Sequence, residues 1–276
     1  MDGPLATFAP CAGVGFIRQD LVALLFEIMR PALDFVLPER CPSCGVITPA
    51  GGTFCGQCWQ KMHFLVPPWC ASCAVPFAYE QGEDARCATC LVSPPGHDGI
   101  RAAVAYDDVS SQVALKLKYG GKIGLAKMIA AQLVRHLPAD KSSVLVTPVP
   151  LHWTRLWSRS FNQSALIAKE LARISNLEFI PDLLLRTKRT PSMRGLSAKD
   201  RRRAVGKAFT LNPRWRGRID GARIILVDDV LTTGATSDGC IKALKSNGAD
   251  WVQLFCWARA LRGEALPEWQ PISIDA

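Results

Sequence analysis

From residue 98 onward the apolar positions keep two rhythms. Short apolar or β-branched runs at residues 102–106, 143–149, 224–227 and 251–257 have strand length, whereas 110–119, 123–137, 161–173 and 234–247 place apolar residues at helical spacing. Strands alternating with helices predict an α/β fold, a parallel sheet flanked by helices on both faces.

The run at 224–227 carries the most chemistry. It passes directly into Asp228 and Asp229, then into Thr232-Thr233-Gly234-Ala235-Thr236 before the next helical pattern. In a parallel sheet the crevice lies beyond the carboxyl ends of the strands. A small, hydroxyl-rich turn at a helix start can point backbone N–H groups at one anion. Two carboxylates beside it would repel a phosphate but suit the paired hydroxyls of a ribose and a bound Mg²⁺. The ligand this implies is a ribose 5-phosphate. A nucleoside triphosphatase strand also ends in paired Asp residues, but its G-x-x-x-x-G-K-[ST] partner is absent from the chain.

Eight of the 11 cysteines form four C-x-x-C pairs, Cys41/Cys44, Cys55/Cys58, Cys70/Cys73 and Cys87/Cys90, with ten, eleven and thirteen residues between successive pairs. Each pair can present two thiolates to one tetrahedral metal, so four supply two closed Cys₄ zinc sites of structural type. Pairing first with second and third with fourth closes the shorter loops; a cross-braced alternation satisfies the same count, and spacing does not decide between them. A module this small depends on its metals to fold. It is assigned to residues 38–95, with residues 98–276 as the main domain. Trp59, Phe64 and Trp69 either staple the ribbons together or stack on bases.

Residues 1–37 show no signal-peptide pattern and no membrane span, since Arg18, Asp20, Glu27, Arg30 and Asp34 interrupt the apolar stretch. Phe16, Ile17, Leu21, Leu24, Leu25, Ile28 and Leu33 fit an amphipathic helix, packed on the rest of the chain or lying on a membrane surface. A cytoplasmic location is expected, with any membrane association made through partners.

Charge sharpens the picture. The formal net charge is +9, which two zinc-bound Cys₄ sites reduce to about +5. What remains is concentrated: Arg186, Lys188, Arg189, Arg194, Lys199, Arg201, Arg202, Arg203 and Lys207 face the single acid Asp200, and Arg214, Arg216 and Arg218 follow. Such a run reads either as a loop that closes over the site or as a basic surface facing nucleic acid. After the strand at 143–149, Arg155 and Arg159 precede Phe161-Asn162-Gln163 at the sheet edge that carries Asp228, where they can hold a pyrophosphate. Lys116-Leu117-Lys118-Tyr119 ends a helix and reads as a surface face, with a lysine in the crevice as the alternative.

The segment 224–236 resembles the signature of type I phosphoribosyltransferases. The resemblance implies that Asp228 and Asp229, the candidate catalytic pair, bind ribose hydroxyls or Mg²⁺, that Thr232, Thr233, Gly234, Ala235 and Thr236 hold the 5-phosphate, and that Asp229 is a candidate general base. The ligand would be phosphoribosyl pyrophosphate with Mg²⁺. Over residues 30–260 the cysteine knuckles, Leu115-Lys116-x-Lys118-Tyr119-Gly120, Pro148-Val149-Pro150-Leu151-His152, Phe161-Asn162-Gln163, Leu196-Ser197 with Arg201, and the acid–threonine loop are together similar to the ComF family of competence proteins. That resemblance implies a double zinc ribbon on a type I phosphoribosyltransferase fold. It also implies a role in uptake or processing of single-stranded DNA in natural transformation, with DNA-uptake, helicase or recombination proteins as partners. Ser160, Met193 and Ala204 depart from the family's Gly, Gln and Asn. The alternative function is a phosphoribosyltransferase of nucleotide metabolism or salvage with no direct DNA role, and whether the chain turns its ligand over or only binds it stays open.

Overall fold

The computed structural model describes residues 38–151, 161–187 and 208–261. Five parallel strands form the central sheet in the order β1 (Ile100–Ala105), β7 (Trp251–Arg259), β6 (Arg223–Leu231), β2 (Val144–Pro148) and β3 (Glu178–Phe179). Side chains alternate between the two faces, as the period of a strand requires. On β6, Ile224 and Leu226 pack on one face, whereas Ile225 and Val227 pack on the other.

Before the helices of the sheet come two short ones in the cysteine region, α1 (Gly56–Lys61) and α2 (Ala88–Val92). Helices α3 (Asp108–Tyr119), α4 (Leu125–Leu133) and α5 (Gln163–Ser175) cover the face of Ile225 and Val227. The opposite face is covered by α6 (Ala235–Lys245) and by a two-stranded antiparallel pair, β4 (Leu184–Arg186) and β5 (Phe209–Leu211). The helix starts are written in local chemistry. Asp107 accepts from the Ser110 N–H at 2.7 Å while Ser110 Oγ accepts from the Asp107 N–H at 2.8 Å, closing a capping box on α3. Asn162 caps α5, accepting from the Ser164 N–H at 3.0 Å.

The direction of the crossovers fixes the site. From β2 the chain crosses over α5 to β3, and from the adjacent β6 it crosses over α6, on the other face, to β7. The neighbouring strands β2 and β6 are therefore the point where the winding reverses, the place where sheets of this kind form a crevice beyond their carboxyl ends.

The ribbons are built onto this sheet. The segment between them runs antiparallel to β1: the Leu65 N–H donates to the Ala103 carbonyl at 3.1 Å and the Ala105 N–H to the His63 carbonyl at 2.8 Å. Met62 and Leu65, each 1% exposed, sit in the two cores of the sheet. Arg101 donates to the Ala71 carbonyl at 3.1 Å, and Arg259 donates to the Cys73 carbonyl.

Two features differ from the sequence reading. Strand β6 does not stop at Val227 but continues to Leu231, so the acid pair lies within its paired length, with Asp228 opposite Cys256. Strands β3, β4 and β5 have two or three residues each, too short to leave a periodic signal.

Candidate functional site

Asp228 and Asp229 lie in the carboxyl-terminal part of β6, facing the start of α5. Ser164, in the first turn of α5, donates from Oγ to Asp228 Oδ1 at 3.1 Å, and the Asp229 N–H donates to the same oxygen at 2.9 Å. Asp229 receives the Val230 N–H at 2.7 Å on Oδ1 and the Lys118 ammonium at 2.7 Å on Oδ2. Burial, followed by the neighbouring charge of Asp229, pushes the Asp228 carboxyl up to about 7; the Asp229 N–H, Lys118 and Ser164 act in the opposite direction. The two acids are thereby differentiated: Asp229 is held as an ion pair, and Asp228 is poised near neutrality.

The turn after β6 is shaped by Gly234, whose φ of 76° lies in the left-handed region. A Cβ there would approach nothing closer than 3.7 Å, so the requirement is conformational and not one of space. The Ala235 methyl is buried in the core, leaving its N–H, which contacts Thr233 Oγ1 at 3.5 Å, as its offering to the turn. Thr232 and Thr233 are exposed, and Thr236 lies in the first turn of α6, which has no side-chain cap. A helix start without a side-chain cap, beside exposed threonines, is an anion-accepting arrangement. The acids and the turn supply hard oxygen donors, a set that fits Mg²⁺.

Lys116 and Lys118 diverge from the last turn of α3. Lys118 enters the crevice, so the reading of this helix end as a plain surface face is corrected; Lys116 donates instead to the Ser43 carbonyl inside the first cysteine knuckle. Ser164 was not singled out by its sequence, although the cap at Asn162 placed a helix start beside it. Arg155 and Arg159 lie outside the described residues, as do residues 188–207, which join β4 to β5, and residues 1–37. Of the later basic residues, Arg214 and Arg218 lie against Asp182 and Glu178. Trp215 donates to Asp182 at 3.0 Å and packs on the core.

The cysteines assemble in sequence. The sulfurs of Cys41, Cys44, Cys55 and Cys58 all lie within 4.8 Å of one another, and those of Cys70, Cys73, Cys87 and Cys90 do likewise. The Cys44–Cys55 and Cys73–Cys87 separations are both 3.6 Å, close to the edge of about 3.8 Å of a tetrahedron with 2.3 Å zinc–sulfur bonds. This resolves the pairing in favour of first with second and third with fourth. At Cys70 backbone amides favour the thiolate: burial raises the thiol, but the N–H groups of Cys73 and Cys87, at 3.4 and 3.3 Å, help to outweigh it and bring it to about 7, whereas burial raises the thiols of Cys58, Cys73 and Cys90. The chain thus carries two Cys₄ zinc-binding sites.

Among the aromatics, Trp69 packs on the main domain, edge-on to His136 at 5.4 Å and under Arg101 at 5.3 Å, so it ties a ribbon to the sheet instead of stapling the two ribbons to each other. Trp59 leans on Phe64 at 4.7 Å and is 51% exposed. Among the described residues no helix is long and apolar enough to cross a membrane.

Comparison with known proteins agrees with this arrangement. The double zinc ribbon domain family matches residues 32–91. Competence protein F of Haemophilus influenzae is 29% identical over 228 residues, covering 80% of this chain and 97% of that protein. The DNA utilization protein YhgH of Escherichia coli O157:H7 is 31% identical over 198 residues, 70% of this chain and 84% of that protein. Among solved structures, a glutamine phosphoribosylpyrophosphate amidotransferase from B. subtilis aligns with 52% of this chain and 30% of its own at 16% identity, with a TM-score of 0.35, too low to carry weight. With a double zinc ribbon, a helix-flanked parallel sheet and relatives matched over most of their length, the chain belongs to the ComF family of competence proteins.

Proposed function

We propose that the crevice binds phosphoribosyl pyrophosphate with Mg²⁺, in a protein that serves the uptake or processing of single-stranded DNA during natural transformation. The observation that carries the ligand is the placement of two differentiated carboxylates in the carboxyl-terminal part of β6, with the Gly234 turn and the uncapped start of α6 following soon after the strand ends at Leu231. In this reading Thr232, Thr233, Thr236 and the N–H groups of Gly234 and Ala235 receive the 5-phosphate. Asp228 and Asp229 take the ribose hydroxyls, and Arg155 and Arg159 take the pyrophosphate. Mg²⁺, when bound, neutralises charge on the pyrophosphate, and the acid pair is where the chain would hold it. Asp229 serves as a general base only after it releases Lys118.

A thermal-shift series tests the ligand: phosphoribosyl pyrophosphate with Mg²⁺ raises Tm, ribose without phosphate does not, and equal shifts from both would refute the assignment. Release of pyrophosphate in the presence of candidate bases separates an enzyme from a sensor.

The DNA role is supported by the basic stretch 186–218, by the exposure of Trp59, and by relatives named for competence and DNA utilization. Replacing Arg201, Arg202 and Arg203 by Gln is expected to lower the affinity for single-stranded DNA and flatten its salt dependence. Unchanged affinity and slope would remove this run from the binding surface.

A further inference from the structure

Among the described residues Lys118 is the cation paired with the acid pair, and it arrives from an element that the ligand reading does not use. It extends from the last turn of α3 to Asp229 Oδ2 at 2.7 Å, with 22% of its side chain exposed against 15% for Asp229. The neighbouring Lys116 is committed to the first zinc knuckle through the Ser43 carbonyl, which anchors the same turn of helix from its other side. The helix end is therefore tied on both sides, and the ammonium is delivered to a fixed place.

An ammonium is a compact point charge with several donors. Against Asp229 it occupies the position that a divalent cation would need. Without it, two adjacent carboxylates in a half-buried crevice would attract a hydrated Mg²⁺ or Mn²⁺ by themselves. We propose that Lys118 is a built-in counter-ion that holds Asp229 in the empty site and excludes free divalent cation, so that the metal enters only with the oxygens of a phosphorylated ligand. Mg²⁺ keeps several waters and needs ligand phosphates as well as one or two carboxylates, so such a complex can displace the lysine where the bare ion cannot. Lys118 is thus a positioning and selectivity residue. The inference extends the ligand reading given above, but concerns the acid pair before any ligand arrives.

The test uses the full, zinc-loaded chain and Mn²⁺ alone, counted by electron paramagnetic resonance. Lys118→Met keeps the length and helix propensity of the side chain while removing its charge, and is expected to bind Mn²⁺ about tenfold more tightly than the wild type. Lys118→Arg, which restores the cation, should match the wild type. The gain should vanish in Lys118→Met combined with Asp229→Asn. A purely structural role for Lys118 predicts the opposite sign, because a disturbed site binds less. Equal or weaker Mn²⁺ binding by Lys118→Met, or a gain that survives removal of Asp229, overturns the proposal. Phosphoribosyl pyrophosphate is absent from every arm, so the result stands whichever ligand the crevice takes.

Discussion

Ser164 Oγ donates to Asp228 Oδ1 at 3.1 Å, joining the first turn of α5 to the end of β6 across the strand pair where the winding reverses. The bond favours the ionised carboxylate against the burial that raises it. Ser164→Ala is expected to weaken binding of the phosphorylated ribose about fivefold to tenfold, in line with one lost hydrogen bond to a charged group. Calorimetry at constant pH measures this, and an unchanged affinity would separate Ser164 from the site.

Gly234→Ala tests the turn. The left-handed φ of 76° costs an alanine roughly 1 kcal/mol, while the space around the Cβ is open. A small fall in Tm with a larger fall in ligand affinity is the expected pair of outcomes; a fall in Tm alone would mean that the turn does not hold the ligand.

Zinc removal should reach beyond the ribbons. Met62 and Leu65 lie in the two cores of the sheet, and Arg101 and Arg259 bind ribbon carbonyls. Cys70→Ser is expected to leave one zinc per chain by metal analysis and to lower the melting temperature of the whole protein in one transition. A separate early transition with an unaltered main one would show that the ribbons unfold on their own.

Two buried histidines are expected to contribute to the acid limb of stability. Burial lowers His97 from 6.5 to about 4, and its Nδ1 accepts the Gly99 N–H at 3.2 Å; burial followed by Arg135 lowers His136 to about 4, and its Nε2 faces the Arg135 guanidinium at 3.3 Å. Both are neutral when folded, so between pH 6.5 and 4 the unfolded chain binds protons that the folded chain refuses, and stability falls as pH drops. Asp228 has the opposite sign: its folded value of about 7 exceeds 3.8, so its contribution is full below pH 3.8 and is lost as pH rises through 7. The double variant His97→Asn, His136→Gln keeps the acceptors and should flatten Tm between pH 6.5 and 4. An equally steep decline would place the titrating groups elsewhere.

Legibility followed the range of the interaction. Strands β1, β2, β6 and β7 and the longer helices were readable from apolar spacing, because each buries a full face or stripe. The cysteine spacing announced two metal sites but not their pairing, which depends on where Cys55 meets Cys44, eleven residues away in sequence and 3.6 Å away in space. The acid pair and the Gly234 turn are contiguous in the chain and were legible as one site. Ser164 was not, and a lysine of the 116–119 helix end was legible only as the alternative to a surface face, because their roles arise from contacts with Asp228 and Asp229 that bridge 64 residues in one case and more than a hundred in the other. The periodicity of α3 cannot show which of its exposed lysines leans into a crevice.

The most direct test is isothermal calorimetry of the zinc-loaded chain with phosphoribosyl pyrophosphate and Mg²⁺, comparing the wild type with the variant Asp228→Asn, Asp229→Asn. One site per chain in the wild type, and at least a tenfold loss in the variant with its fold and zinc content retained, is the result expected if the acid pair is the ribose and metal end of the site. Equal affinity in the two proteins would contradict it.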